Sequence, residues 1–218
     1  MLYQFDWSVI TDPGFWLRAV AVTLSYAIGT IAGGLLVGVL GGAAMLSRIR
    51  PLRWIVGAYV QLFRCTPLVV QIVWFFYALP MLTGLALPEW LAGGAGLTLY
   101  MGAFATEIFR AGVLSVERGQ WDAARALGLP YLNTMRHVVL PQAVRRMMPA
   151  FVSQSILQLK NTSLLYVVAI PDLMYAASQV TARTYRPLEL YTFVAAIYFV
   201  LLFPLTLFSK RLEVRVDA

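Results

Sequence analysis

Residues 19–46 read AVAVTLSYAIGTIAGGLLVGVLGGAAML, a run without one Asp, Glu, Lys or Arg. About 20 consecutive apolar residues, at 1.5 Å of helical rise each, cross the hydrocarbon core of a bilayer. The run therefore predicts a membrane-spanning helix. Similar runs follow at 55–83, 93–114, 149–171 and 188–209, so the chain reads as an all-α integral membrane protein with five transmembrane helices. Composition agrees: 60% of the 218 residues are hydrophobic and 12% are charged, with a mean hydropathy of +0.74. So few charges cannot cover the surface of a soluble globule of this size. The length and the absence of a linker-like stretch favour one domain, 1–218.

Within the first run glycines recur four residues apart, at Gly29 and Gly33 and at Gly34, Gly38 and Gly42. That spacing lets helix backbones approach closely where lipid supplies no hydrophobic drive for association. The reading is packing within the subunit rather than a subunit interface. Orientation follows from Lys and Arg, which cytoplasmic loops retain. Arg48, Arg50 and Arg53 follow the first span, Arg110, Arg118, Arg125, Arg136, Arg145 and Arg146 surround the central segment, and Lys210, Arg211 and Arg215 follow the last. These regions belong inside. PMLTGLALPEWLAGG has no basic residue and belongs outside, and IPDLMYAASQVTARTYRPLE alternates with it despite Arg183 and Arg186. The N-terminus is outside and the C-terminus inside. Residues 1–17 lack the basic n-region of a signal peptide and read as an interfacial segment, with Phe5, Trp7, Phe15 and Trp16 at headgroup level.

Several function classes fall away. The net charge of +7 comes without an aromatic and basic groove motif, so nucleic acid is not a partner. Cys65 stands alone and reads as a packing residue. There is no GxxxxGK[ST], no HExxH and a single histidine, His137, so the chain neither hydrolyses nucleotide nor builds a multi-histidine metal site. Five spans leave little room for a private aqueous pathway, so a transporting chain would be one of two pseudo-symmetric halves. Ionisable residues inside apolar runs are costly and normally face a cavity or a partner. In FRCTPLVVQ, Arg64 lies two turns from Gln71 on one face, and Pro67 frees backbone groups that Thr66 and Gln71 can satisfy. In LQLKNTSLLY, Lys160, Asn161, Thr162 and Ser163 form a polar break. Arg64, Thr66, Gln71, Lys160, Asn161 and Ser163 suit a substrate with carboxylate and amino groups; snorkelling of Arg64 and Lys160, or pairing with Glu107, is the alternative.

Residues 121–141, WDAARALGLPYLNTMRHVVLP, form a charged island that charge counting places in the cytoplasm. Asp122, Ala123, Ala124, then Gly128 after three residues, then Val138, Leu140 and Pro141 after nine more, resemble the EAA loop of permease subunits in bacterial ATP-binding-cassette importers. Asp replaces the usual Glu and Val the usual Ile. FRCTPLVVQ and LKNTSLL are similar to RxTPL and KDTSL motifs of the polar amino acid branch, with Asn161 in place of the commoner Asp. The resemblance implies the five-helix type I importer permease fold and a cytoplasmic coupling loop at about 115–145. Asp122, Ala123, Ala124, Gly128, Leu140 and Pro141 would engage an ATPase dimer that carries ATP and Mg, this subunit binding no cofactor. It further implies a second identical or homologous permease, a solute-binding protein delivering an amino acid, and the bacterial inner membrane. The residues alone also allow a loop helix lying on lipid. On that physical reading, Gly128 and Pro130 stop a first short helix, and Pro141 redirects the chain into the next span. Arg110, Glu117 and Arg118 would form supporting ion pairs. Other classes for the chain are an ion-coupled secondary transporter or channel and a membrane-embedded assembly factor.

Overall fold

The computed structural model describes residues 3–217, with side chains placed as far as Leu212; Arg215, one of the charges used for orientation, lies outside the described side chains. Every regular element among the described residues is helical. α1 (Pro13–Leu46) starts earlier than the apolar run because Asp12 caps it, its carboxylate accepting from the Phe15 N–H at 3.1 Å, with Pro13 at the first helical position. α2 (Arg50–Cys65) and α3 (Leu68–Thr83) follow, then α4 (Glu89–Leu114), the short α5 (Arg118–Ala126), the long α6 (Tyr131–Val168), α7 (Leu173–Thr184) and α8 (Pro187–Asp217). α1 and α8 are each long and apolar enough to cross a membrane. α2/α3, α4/α5 and α6/α7 are pairs bent by 110°, 59° and 45°, giving up to 5 spans if each pair counts as one.

The run at 55–83 is thus not one straight span, and the cause is Pro67. Proline has no N–H to continue the helix and pushes the preceding residue out of helical geometry; Thr66 sits extended at φ −112°, ψ 143°. The carbonyls this frees are recovered by Gln71, whose Nε2 donates to Phe63 O at 2.9 Å, Thr66 O at 3.1 Å and Thr66 Oγ1 at 2.7 Å.

Pro141 differs from expectation: it does not redirect the chain, and α6 continues through it. A π turn over Met135–Val139 widens the helix just before it, and Leu140 N–H reaches Met135 O. Pro80 in α3 follows the same design, after a π turn over Trp74–Ala78 with Leu79 N–H on Trp74 O. A proline ring clashes with the carbonyl four residues back in a regular helix. Opening the turn by one residue relieves that clash, and the helix continues.

The glycine stripe of α1 packs against α4. A Cβ on Gly34 would fall 2.3 Å from Met101 Cγ, one on Gly38 2.2 Å from Ala105 Cβ, and one on Gly42 2.5 Å from Phe109 Cδ1. The backbones therefore meet at a distance only glycine allows, and the stripe is intrachain packing. Gly29 lies off this line, with nothing within 4 Å of its would-be Cβ.

At the N-terminal end, Tyr3 Oη donates to Glu189 Oε2 at 2.6 Å, Asp6 N–H to Glu189 Oε1 at 2.9 Å, and Arg186 Nη1 to Gln4 O at 2.8 Å. The segment is strapped across the α7–α8 turn. Phe5 and Trp7 are exposed and stacked at 5.9 Å. Trp16 is not interfacial: it is 5% exposed and packs edge-on against Phe193 at 5.0 Å, because α1 turns that face toward α7 and α8.

Candidate functional site

The polar island folds as a corner between α5 and α6. Gly128 adopts φ +73°, its N–H reaching Arg125 O at 2.9 Å, while Leu129 N–H reaches Ala124 O at 3.1 Å. This is a Schellman closure, and glycine occupies the left-handed position without the Cβ penalty. Ala124 is buried beneath it, whereas Asp122 and Ala123 face outward. Asp122 Oδ1 accepts from Arg125 Nη2 at 2.6 Å in an exposed pair. Trp121 stacks on Tyr131 at 6.2 Å, fixing α5 on the start of α6.

Behind the corner, Val139 and Ala143 of α6 pack with Val113 and Val116 at the end of α4, and half-buried Leu140 joins them. Gln142 Nε2 donates to Gln120 Oε1 at 3.2 Å, and Arg146 to Ser115 O. The corner is therefore a rigid continuation of α4 and α6. Its tip exposes Leu127 (80%), Leu132 (74%) and Tyr131, with Pro141 exposed nearby. The ion pairs expected of Arg110, Glu117 and Arg118 do not form among the described residues. Arg110 lies one turn from Glu107 on α4 and binds it through two contacts, at 2.8 and 2.9 Å.

The two polar breaks share a wall. Leu68 and Ile72 of α3 and Leu165 and Val168 of α6 belong to one buried cluster with Leu97. Arg64, at the end of α2, is partly exposed, 3.9 Å from Glu107 and 5.3 Å from the Phe104 ring. Glu107 thus sits between Arg64 and Arg110, one carboxylate to two guanidinium groups. Thr66 and Gln71 hold the elbow, leaving Gln71 Oε1 buried without a partner. A cavity of about 440 Å³ opens there, lined by Thr66, Gln71, Phe63 and Trp74. Lys160 is exposed, with no carboxylate within 4.0 Å among the described residues. Ser163 Oγ donates to Lys160 O at 2.8 Å, and Asn161 Nδ2 is buried without a partner. No hydrogen bond joins the α2/α3 set to the α6 set among the described residues.

Sequence reasoning missed Gln154 and Gln158. Both are buried; Gln158 Nε2 donates to Thr30 Oγ1 at 3.1 Å and Leu97 O at 2.9 Å, tying α6 to α1 and α4. Gln154, Gln158 and Asn161 follow helical spacing and each keeps a buried polar atom unpartnered. That spacing, four then three residues inside an apolar run, was the available signal.

The model of the family described as binding-protein-dependent transport system inner membrane component matches residues 34–218. The chain belongs to that family. Relatives of this inner membrane component include the arginine transport system permease protein ArtQ of Bacillus subtilis, 36% identical over 206 residues and 94% of each chain. The glutamine transport system permease protein GlnP of Escherichia coli is 34% identical, covering 97% of this chain and 98% of GlnP. The glutamate/aspartate import permease protein GltK of Escherichia coli is 32% identical, covering 98% and 99%. A crystal structure of an amino acid ABC transporter with histidines superposes with a TM-score of 0.91 at 30% identity, over 98% of this chain and 100% of that one. A chain of the MetNI methionine ABC transporter, 20% identical, shares the fold at a TM-score of 0.74 over 93% and 96%. The all-helical architecture is that of ABC importer permeases of type I.

Proposed function

We propose that this chain is the membrane-spanning permease subunit of an ATP-driven importer for a polar amino acid. The carrying observation is likeness along nearly the whole chain to permeases named for arginine, glutamine and glutamate/aspartate transport. Counting each bent pair as one span gives a five-span subunit in the bacterial inner membrane, N-terminus outside and C-terminus in the cytoplasm. Two such subunits, identical or homologous, enclose the pathway, and a solute-binding protein delivers substrate from outside.

ATP and Mg reside on a separate ATPase pair, into which the Gly128 corner docks. Leu127 and Leu132 supply the exposed apolar tip, Asp122 and Ala123 the outward face of α5, and Ala124, Leu140 and Pro141 the stiff base. Rigidity behind the tip is what allows movement of an ATPase to reach α4 and α6 without being absorbed in the loop. Reversing a 1:99 preference between two pathway states takes about 5.5 kcal/mol of differential binding, which ATP-driven closure of the partner provides. In the pathway, Arg64 and Lys160 face the carboxylate of the substrate, and Asn161, Ser163, Thr66 and Gln71 orient the rest. Thr66 and Gln71 also act indirectly, by fixing the α2/α3 elbow that carries Arg64.

The experiment is reconstitution of the chain with its ATPase and binding protein in proteoliposomes, with uptake measured under ATP or under an ion gradient. Uptake driven by ATP alone is expected. Glu107, an acid held between two arginines within the spans, favours an ion-coupled carrier as the second reading. Uptake driven by the gradient without ATP would establish that carrier instead.

A further inference from the structure

We infer that the groove between α1 and α7 is a binding site for an anionic phospholipid, its headgroup held by Arg18 and Arg183. The two helices run antiparallel: Leu173 N–H donates to Thr23 Oγ1 at 3.1 Å, while Asp12 and Arg183 line a common pocket at the other end. Ala19 and Ala176 are both buried, belong to one core cluster and line the same cavity. Such small side chains bring the helices together but leave a furrow above them. Two adjoining cavities, of about 530 and 440 Å³, occupy this furrow and share Phe15, Tyr175 and Gln179. These are volumes typical of ligand sites, roughly 300–1,000 Å³.

The furrow is graded in chemistry. Its deeper part, toward Pro171 and Val22, is apolar, as an acyl chain requires. Arg18 lines this cavity, and Arg183 lines the adjoining one at the mouth. Side chains on a helix lean toward its N-terminus, and Arg18 Nε donates to Gly14 O at 3.3 Å, which draws its guanidinium to the mouth. Arg183 closes the last turn of α7 at the same end.

Charge decides the occupant. Arginine at the outer end of a membrane protein runs against the usual retention of positive charge inside, so each one calls for a counter-charge. Arg186 has Glu189 at 3.6 Å. Arg18 and Arg183 have no carboxylate within 4.0 Å among the described residues. Asp12 also lines the mouth, but its Oδ1 caps α1 on the Phe15 N–H, leaving an excess of one positive charge. A phosphate diester with a net negative headgroup fits that excess, and guanidinium groups bind phosphate oxygens through paired N–H donors.

The test uses the full chain in its purified assembly, delipidated in mild detergent and offered phosphatidylglycerol or phosphatidylcholine, with retained lipid counted by native mass spectrometry. Phosphatidylglycerol should be retained in preference, and the Arg18→Ala, Arg183→Ala double variant should retain about tenfold less, while the corresponding double Lys variant keeps most of it. Ala21→Trp, which fills the furrow from its exposed side and leaves both charges, should lower retention as well. It carries the test if the double Ala variant does not fold. Equal retention of the two lipids, undiminished retention in the double Ala variant or in Ala21→Trp, or a change of oligomeric mass in place of a change in lipid would overturn the inference.

Discussion

Gln71 and Thr66 are joined twice, the Gln71 Nε2 lying 2.7 Å from Thr66 Oγ1 and 3.1 Å from Thr66 O. The same nitrogen reaches Phe63 O, so one buried amide closes the break that Pro67 opens between α2 and α3. Gln71→Leu removes that closure while keeping size. With the part-buried Phe63 and Thr66 carbonyls left unpaired, it should cost about 1–3 kcal/mol, visible as a lower thermal transition of the detergent-solubilised protein. An unchanged transition would show that the elbow is held by packing alone.

The corner gives a sharper test. Gly128 has φ +73° and an open surrounding, so strain and not crowding governs its substitution. Gly128→Ala should cost about 1–2 kcal/mol, and Gly128→Asn less. Gly128→Pro cannot adopt a positive φ at all, and should abolish uptake in reconstituted vesicles although the chain still inserts. Normal uptake by the proline variant would refute the docking role.

At Gly38 the obstacle is steric, because a Cβ would fall 2.8 Å from the Ala105 carbonyl carbon, which is backbone and cannot swing away. Gly38→Val should destabilise the α1–α4 pair by about 1–3 kcal/mol or more and reduce the yield of monodisperse protein. Gly29→Val, on the open side of the same helix, is the control and should behave as the natural chain.

For the pathway, Arg64→Ala and Lys160→Ala should each lower uptake while leaving the partner's basal ATP hydrolysis in place. Transport and ATPase activity measured together separate this from a folding defect. Unchanged uptake in both variants would remove these residues from the pathway.

The N-terminal strap responds to acid in a definite direction. Hydrogen bonds from the Ser8 hydroxyl and N–H hold the Asp6 carboxyl below the usual carboxylate range. A depressed folded-state value means the contribution is complete above the unfolded value of about 4 and is lost as pH falls below it. Hydrogen exchange at Trp7–Val9, corrected for intrinsic rates, should hold steady between pH 7 and 5 and rise below 4. Tyr3→Phe, which cuts the bond to Glu189, should loosen the same segment at every pH.

How much of this was legible depended on range. The apolar run at 19–46, the Gly34–Gly38–Gly42 line and the Gly128 turn are local signals, and each folds as its spacing implies. The elbow was half legible: Pro67 and its rescue by Gln71 could be read, but not the 110° bend, which packing of Leu68 and Ile72 against α6 decides. Trp16 misled because aromatic residues near a helix start suit both lipid headgroups and a core, and only the position of Phe193 tells them apart. Glu107 had two arginines within reach in the sequence. Which one it grips through both oxygens is a matter of one helical turn, Arg110, against a crossing of helices, Arg64.

The π turn at Met135–Val139 carries an implication for the way force is transmitted. A regular helix turns 100° per residue, so the one extra residue accommodated in that turn sets the azimuth of the corner relative to everything beyond Pro141. Deleting one residue there together with Pro141→Ala would leave the Gly128 tip in place. Restoring an ordinary helix with every residue kept, as Pro141→Ala allows, would swing the tip about 100° around the α6 axis. The Asp122 face would then point elsewhere while the spans stayed in place. The widened turn works as a clocking pin: in the proposed coupling, it sets the direction in which a push from the ATPase arrives.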